Sequence, residues 1–183
     1  MESIRLRGER QAYNPFLPLH EYIPDGSIAQ VEMTSCGLNG GPLRARGEYP
    51  AVIACNLTNG RMPHLQSRKS RARCPYITNR GEERFIAGIV SGVRIGYKYF
   101  AFSGETELSV KTRGSANGML RIFVQETGEC AGEIAIRPSE GWRSRQTSIA
   151  AQGTLPLIFQ YAGRGRMDLL SFALAERSAA PKR

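Results

Sequence analysis

The feature that most constrains this chain is the rhythm of its second half. From Phe85 onward, short apolar segments alternate with turns rich in Gly, Ser, Asn and Pro, and no stretch carries a helical period. Residues 105–112 set Leu108 and Val110 on one face and Glu107, Ser109 and Lys111 on the other, the two-residue period of a strand buried on one side. Segments 85–89, 93–102, 119–125, 132–136, 143–149, 154–161 and 169–175 continue the series. Between them lie Ser91-Gly92, Arg113-Gly-Ser-Ala-Asn-Gly118, Pro138-Ser-Glu-Gly141, Ala151-Gln-Gly153 and Ala162-Gly-Arg-Gly165, all read as turns. This spacing predicts an all-β fold: a two-sheet antiparallel β-sandwich of jelly-roll type.

The first eighty residues follow a different pattern. Pro15 and Pro18 exclude a helix interior around them. Glu21-Tyr-Ile-Pro-Asp-Gly-Ser-Ile28 reads as strand, turn, strand, which predicts an N-terminal β-hairpin segment. Residues 38–42 read as loop and 49–57 as a short strand. Residues 61–73, carrying Arg61, His64, Arg68, Lys69, Arg71 and Arg73 with few apolar side chains, read as an exposed basic loop. The expected division is an extension over 1–45, a sandwich over 46–177 and a frayed tail over 178–183.

A chain of 183 residues has room for one ordinary domain and a short extra segment. Its 7 Tyr and 7 Phe, within 41% hydrophobic residues, suffice for a core. No apolar run approaches the roughly 18 residues of a membrane span, and the start lacks the apolar stretch of a secretory signal. The expectation is a soluble, cytoplasmic chain without a membrane partner, secreted only if it is a fragment. Cys36, Cys55, Cys74 and Cys130 are far apart, with no CxxC pair and no neighbouring histidine, so no metal site, no cofactor and mainly free thiols are expected. The net charge of +9, nearly all from arginine, points toward acidic partners.

Four blocks carry a resemblance: Gly92-Val-Arg-Ile-Gly-Tyr-Lys-Tyr-Phe-Ala-Phe102, Gly141-Trp142, Leu155-Pro-Leu-Ile-Phe159 and Asp168-Leu-Leu-Ser-Phe172. In order and spacing they resemble carbohydrate-binding module family 6, a galactose-binding-like sandwich, over residues 51–175. Upstream, His20-Glu-Tyr-Ile-Pro-Asp-Gly-Ser-Ile-Ala-Gln-Val31 resembles the last hairpin of the five-bladed propeller of glycoside hydrolase family 43, which often precedes such a module. The resemblance implies a non-catalytic accessory module that binds polysaccharide or oligosaccharide of xylan or arabinan type. It also implies that the propeller blades bearing the catalytic acids would lie upstream of residue 1.

The residues agree on catalysis without the family. Glycoside hydrolysis needs two carboxyl groups about 5 to 9.5 Å apart across the scissile bond. The chain has two aspartates, Asp25 in a Pro-Asp-Gly turn and Asp168 at a strand start, and its glutamates fall on exposed faces or in turns. No catalytic residue is assigned.

Sugar rings present apolar faces and polar rims, so their sites combine aromatic platforms with hydrogen-bonding groups. The residues that match the family's binding positions are Trp142, the only tryptophan, Tyr97 and Ser171. Trp142 either walls the sugar cleft or closes one end of the core, and Tyr97 is a core or rim residue. Ser171 stands where the family has a longer asparagine. The second aromatic wall falls near Gly88 or Ile89, which cannot stack, and two calcium-binding glutamates are lost to Ile53 and Cys55. Weak sugar binding follows, with a preference for uronic-acid glycans from the arginine excess. Two other readings stay open: a structural remnant of a truncated hydrolase without ligand, and, less favoured, a nucleic-acid binder acting through residues 61–73.

Overall fold

A computed structural model describes residues 17–22, 28–34, 37–38, 42–59, 74–124 and 128–176. The chain forms two compact units, residues 1–41 and residues 42–183. In the first, β1 (Leu17–Tyr22) and β2 (Ile28–Thr34) pair antiparallel with Tyr22 opposite Ile28, and β3 (Gly37–Leu38) adds to β2. This is the N-terminal hairpin expected from the Pro-Asp-Gly sequence. The basic loop at 61–73 and the tail at 178–183 lie outside the described residues.

The second unit consists of β4 (Leu43–Arg44), β5 (Gly47–Pro50), β6 (Asn56–Thr58), β7 (Tyr76–Arg80), β8 (Glu83–Ile89), β9 (Arg94–Gly114), β10 (Asn117–Phe123), β11 (Gly132–Ile136), β12 (Ser139–Arg164) and β13 (Met167–Glu176). Two expectations are corrected here. The segments 93–102 and 105–112 are one strand, β9, and the segments 143–149 and 154–161 are one strand, β12. Gly153, read as a turn residue, and Gly104, between the two expected segments, are corners inside these strands. Their φ angles of +144° and +94° let the chain bend without a clash at Cβ, while the ladder continues through Gly104 opposite Ala151 and Phe102 opposite Gly153.

The corners divide one continuous ladder into two layers. In one layer, β11 pairs β10, β10 pairs the C-terminal part of β12, and the latter pairs the N-terminal part of β9, with β6 and β4 beyond. In the other, the N-terminal part of β12 pairs the C-terminal part of β9, followed by β13, then β8 and β5, then β7. Phe172 of β13 joins the layers: its ring lies 4.6 Å from Tyr97, 5.5 Å from Phe159, 5.9 Å from Phe100 and 5.5 Å from Tyr49, centroid to centroid. Around this aromatic cluster Ile86, Ile95, Leu108, Leu120, Ile122, Leu157 and Leu169 complete a fully buried core. The two-sheet sandwich expected from the turn spacing is the observed fold.

The expected strand at 49–57 is broken. Pro50 leads into a single 3-10 turn, Ala51–Ile53, closed by the Ala54 amide donating to the Ala51 carbonyl at 3.2 Å, before β6 begins. A second proline, Pro156, sits inside β12, where a missing N–H would leave a gap in a regular ladder. The gap is absorbed by a bulge in which Lys98 and Tyr99 of β9 oppose Pro156 alone. Cys55, Cys74 and Cys130 carry free thiols.

β10 and β12 set two glycines opposite one another, Gly118 and Gly163. A Cβ on Gly163 would stand 2.6 Å from the Asn117 carbonyl oxygen, 2.6 Å from the Tyr161 hydroxyl and 2.7 Å from Gly118 Cα. Those neighbours are fixed, since the Tyr161 hydroxyl donates to the Arg164 carbonyl at 2.5 Å. Gly163→Ala is expected to cost about 2–3 kcal/mol by overpacking, read as a lowered urea midpoint with an unchanged slope. An unaltered midpoint would mean that the two strands separate freely.

Candidate functional site

Where β12 begins, its pairing with β9 is interrupted. Ser139 opposes Gly114 and Arg143 opposes Thr112, so Glu140, Gly141 and Trp142 together face the single residue Arg113. Three residues opposite one throw the β12 chain outward, and this bulge carries Trp142 onto the outer face of the second layer. Arg113 and Asp168 form a cross-strand pair between β9 and β13, and side chains of paired residues share a sheet face. Phe85 and Glu83 of β8 alternate onto that face as well. Glu83, Phe85, Asp168, Arg113 and Trp142 thus form a row across four neighbouring strands.

The row is tightly bonded. Arg113 Nε donates to Asp168 Oδ2 at 3.1 Å, and its Nη1 lies 3.7 Å from Glu83 Oε2. The Trp142 indole N–H is shared between the two Glu83 oxygens at 2.9 and 3.0 Å. Arg113 Cζ rests 4.1 Å from the Trp142 ring centroid and 4.6 Å from that of Phe85, and the two rings meet edge to face at 5.6 Å. A guanidinium over aromatic faces is attracted by their quadrupoles, and it donates in its own plane to the two carboxylates.

Beside the row, at the strand ends, opens a cleft of ≈ 550 Å³ lined by Arg113, Gly114, Ser115, Pro138, Ser139, Glu140 and Asp168. Three more arginines lie on segments that adjoin its lining residues. Arg137, next to the lining residue Pro138, donates from Nη1 to Asn117 Oδ1 at 2.9 Å. The Arg166 amide donates to the Ser115 hydroxyl at 3.3 Å, and Arg164 opposes Asn117 in the ladder. The side chains of Arg137, Arg164 and Arg166 are exposed. Among the described residues, no group of three or more His, Cys, Asp or Glu side chains converges to hold a metal ion.

The three residues singled out from the sequence do not meet in this cleft. Trp142 is half-buried at its edge and touches it through Arg113. Tyr97 is a core residue, 2% exposed, and its hydroxyl donates to the Ala51 carbonyl at 3.2 Å. Burial pushes that phenol far above the ordinary tyrosine range. The rim alternative for Tyr97 is therefore corrected: β9 alternates it inward beside Phe172, where no ligand reaches. Ser171 is 7% exposed, and its hydroxyl donates to Glu48 Oε1 at 2.7 Å, a bond that ties β13 to β5 and commits its proton. Sequence reasoning missed Arg113, Phe85 and Glu83. Arg113 had been read as the start of a turn, and its signal was the isolated Asp168, whose cross-strand partner it is.

No protein-family model matches the chain. A xylosidase/arabinosidase of Thermoclostridium stercorarium is 38% identical over 161 residues, which cover 83% of this chain. The same alignment covers 34% of that protein, so the chain spans about a third of the relative's length. Among solved structures, a family 6 carbohydrate-binding module from Clostridium stercorarium in complex with cellobiose superposes with a TM-score of 0.60 at 16% identity, over 75% of this chain and 99% of that one. A family 6 module from Clostridium cellulolyticum in complex with xylose gives 0.60 at 12% identity, over 73% and 99%. A glycoside hydrolase family 43 arabinoxylan arabinofuranohydrolase from Bacillus subtilis, in complex with cellotetraose, gives 0.57 at 14% identity, over 86% of this chain and 33% of that one.

Trp142→Ala removes the indole's contacts with Phe85 and Arg113 together with its bond to Glu83. The half-buried ring is expected to contribute about 2 kcal/mol, seen as a lower thermal midpoint. A midpoint within experimental error of the parent would mean that the row adds nothing to the fold. The unit beginning at Pro42 has the fold of a family 6 carbohydrate-binding module, with an open cleft at one end of the sandwich and a bonded aromatic row beside it.

Proposed function

We propose that this chain is a non-catalytic carbohydrate-binding module that takes xylan- or arabinan-type oligosaccharides in the cleft bounded by Arg113, Ser139, Glu140 and Asp168. The observation that carries this reading is the cleft itself, an open groove on a family 6-like sandwich whose lining offers donors and acceptors to a rim of sugar hydroxyls. Similar modules have been crystallised with cellobiose and with xylose, and the relative from Thermoclostridium stercorarium is named for xylose- and arabinose-releasing activity. Binding is weak, because the core holds Tyr97, Glu48 holds the Ser171 hydroxyl, and Arg113 lies over Trp142.

The lining does not favour hydrolysis. Asp168 is engaged by Arg113, and the cleft is open to solvent rather than closed around a scissile bond. The exposed arginines on the segments beside the cleft favour ligands that carry carboxylates, since a guanidinium pairs a carboxylate through two parallel hydrogen bonds. Isothermal titration is expected to give millimolar affinity for xylo- and arabino-oligosaccharides and tighter binding for glucuronic-acid-substituted ones. No heat at millimolar concentrations of either kind would refute the binding function, and equal affinity for the two kinds would refute the acidic preference.

A further inference from the structure

In a stacking site, an aromatic ring leaves one face bare for the flat C–H face of a pyranose. Trp142 does not. Arg113 Cζ stands 4.1 Å from its ring centroid, and Phe85, which could have supplied a facing wall, is turned edge-on in direct contact at 5.6 Å. No sugar-thick gap separates the two rings. What covers that face is a flat guanidinium rimmed with hydrogen-bond donors, in the place where the C–H face of a sugar would rest. It is also anchored on two sides: Asp168 takes the Nε–H, and Glu83 faces Nη1 while holding the indole N–H. Only 17% of the Arg113 side chain is exposed, so the guanidinium is packed in the row rather than waving over it.

We propose that Arg113 is a built-in occupant of the Trp142 stacking face and thereby the residue that decides which glycans the cleft retains. Neutral oligosaccharides find the platform filled and are left with the hydroxyl contacts of the cleft. Exchanging the guanidinium for a small neutral side chain uncovers the indole beside an existing cleft. The inference rests on the carbohydrate-binding reading given above.

Trp142 is the chain's only tryptophan, so its emission reports on this ring alone. The test is titration of the whole chain and of Arg113→Ala with xylohexaose, followed by heat and by Trp142 fluorescence. Arg113→Ala is expected to bind about tenfold more tightly, the scale of one added ring stack, with a saturable change in emission. The double variant Arg113→Ala/Trp142→Ala is expected to lose that gain. If the parent binds and Arg113→Ala binds no better, or if the gain survives loss of the indole, the occupant role is overturned while the binding function stands. If no variant binds any oligosaccharide, both fail. Should Arg113→Ala not fold, Glu83→Gln loosens the guanidinium without touching the cleft lining. It is expected to gain two- to threefold, and no gain there overturns the proposal.

Discussion

The fold depends on one long ladder, β9 against β12, held from Arg94 opposite Gln160 at one end to Gly114 opposite Ser139 at the other. Because both strands turn their corners together, through Gly104 and Gly153, the hydrogen bonding crosses from layer to layer with the chain. Two sheets that share their central strands cannot slide past one another without breaking this ladder. Their inner faces are thereby held at a distance that Phe172, Tyr97, Phe100 and Phe159 fill, and the aromatic cluster in turn sets the 3-10 turn by the bond from Tyr97 to Ala51.

The cleft arises where the same ladder fails to be regular. Its end is frayed by the three-against-one bulge at Glu140–Trp142, which releases backbone for a groove wall and sends one indole outward. Arg113, the residue facing the bulge, then belongs to two structures. It lines the groove, and it closes the row that ties β8, β13, β9 and β12 together. The packing of the row and the shape of the groove thus draw on one guanidinium. On the proposed function, substitutions at Glu83, Phe85 or Asp168 would act on binding through the orientation of Arg113, although Glu83 and Phe85 do not line the groove.

The sequence made the sandwich legible, because alternation such as that around Leu108 and Val110 reports which face is buried, and the N-terminal hairpin was legible from its Pro-Asp-Gly turn. Continuity of the strands was not. Gly104 and Gly153 have the composition of turns, and only the partner strand reveals that the ladder runs through them. Trp142 was found because a lone tryptophan after a glycine stands out, and the structure places it in the row beside the cleft, against Arg113 and Phe85. Tyr97 and Ser171 were chosen by likeness of motif, which reports position along a strand and not whether a hydroxyl is already bonded to Ala51 or Glu48. Arg113 was invisible for a related reason: its importance lies in Asp168, Glu83 and Trp142, and no one of these is near it in sequence.

The bulge at Pro156 has a consequence for how β9 can change. Before it, the odd-numbered Ile95 and Tyr97 point inward; after it, the even-numbered Phe100, Phe102, Leu108 and Val110 do, and Tyr99 is left 56% exposed. The spare residue acts as a frame shift in side-chain parity. Lineages of this chain can therefore vary Lys98 and Tyr99 in kind but not in number, since losing one would turn Ile95 and Tyr97 out to water and bring their polar neighbours, Arg94 among them, into the aromatic core.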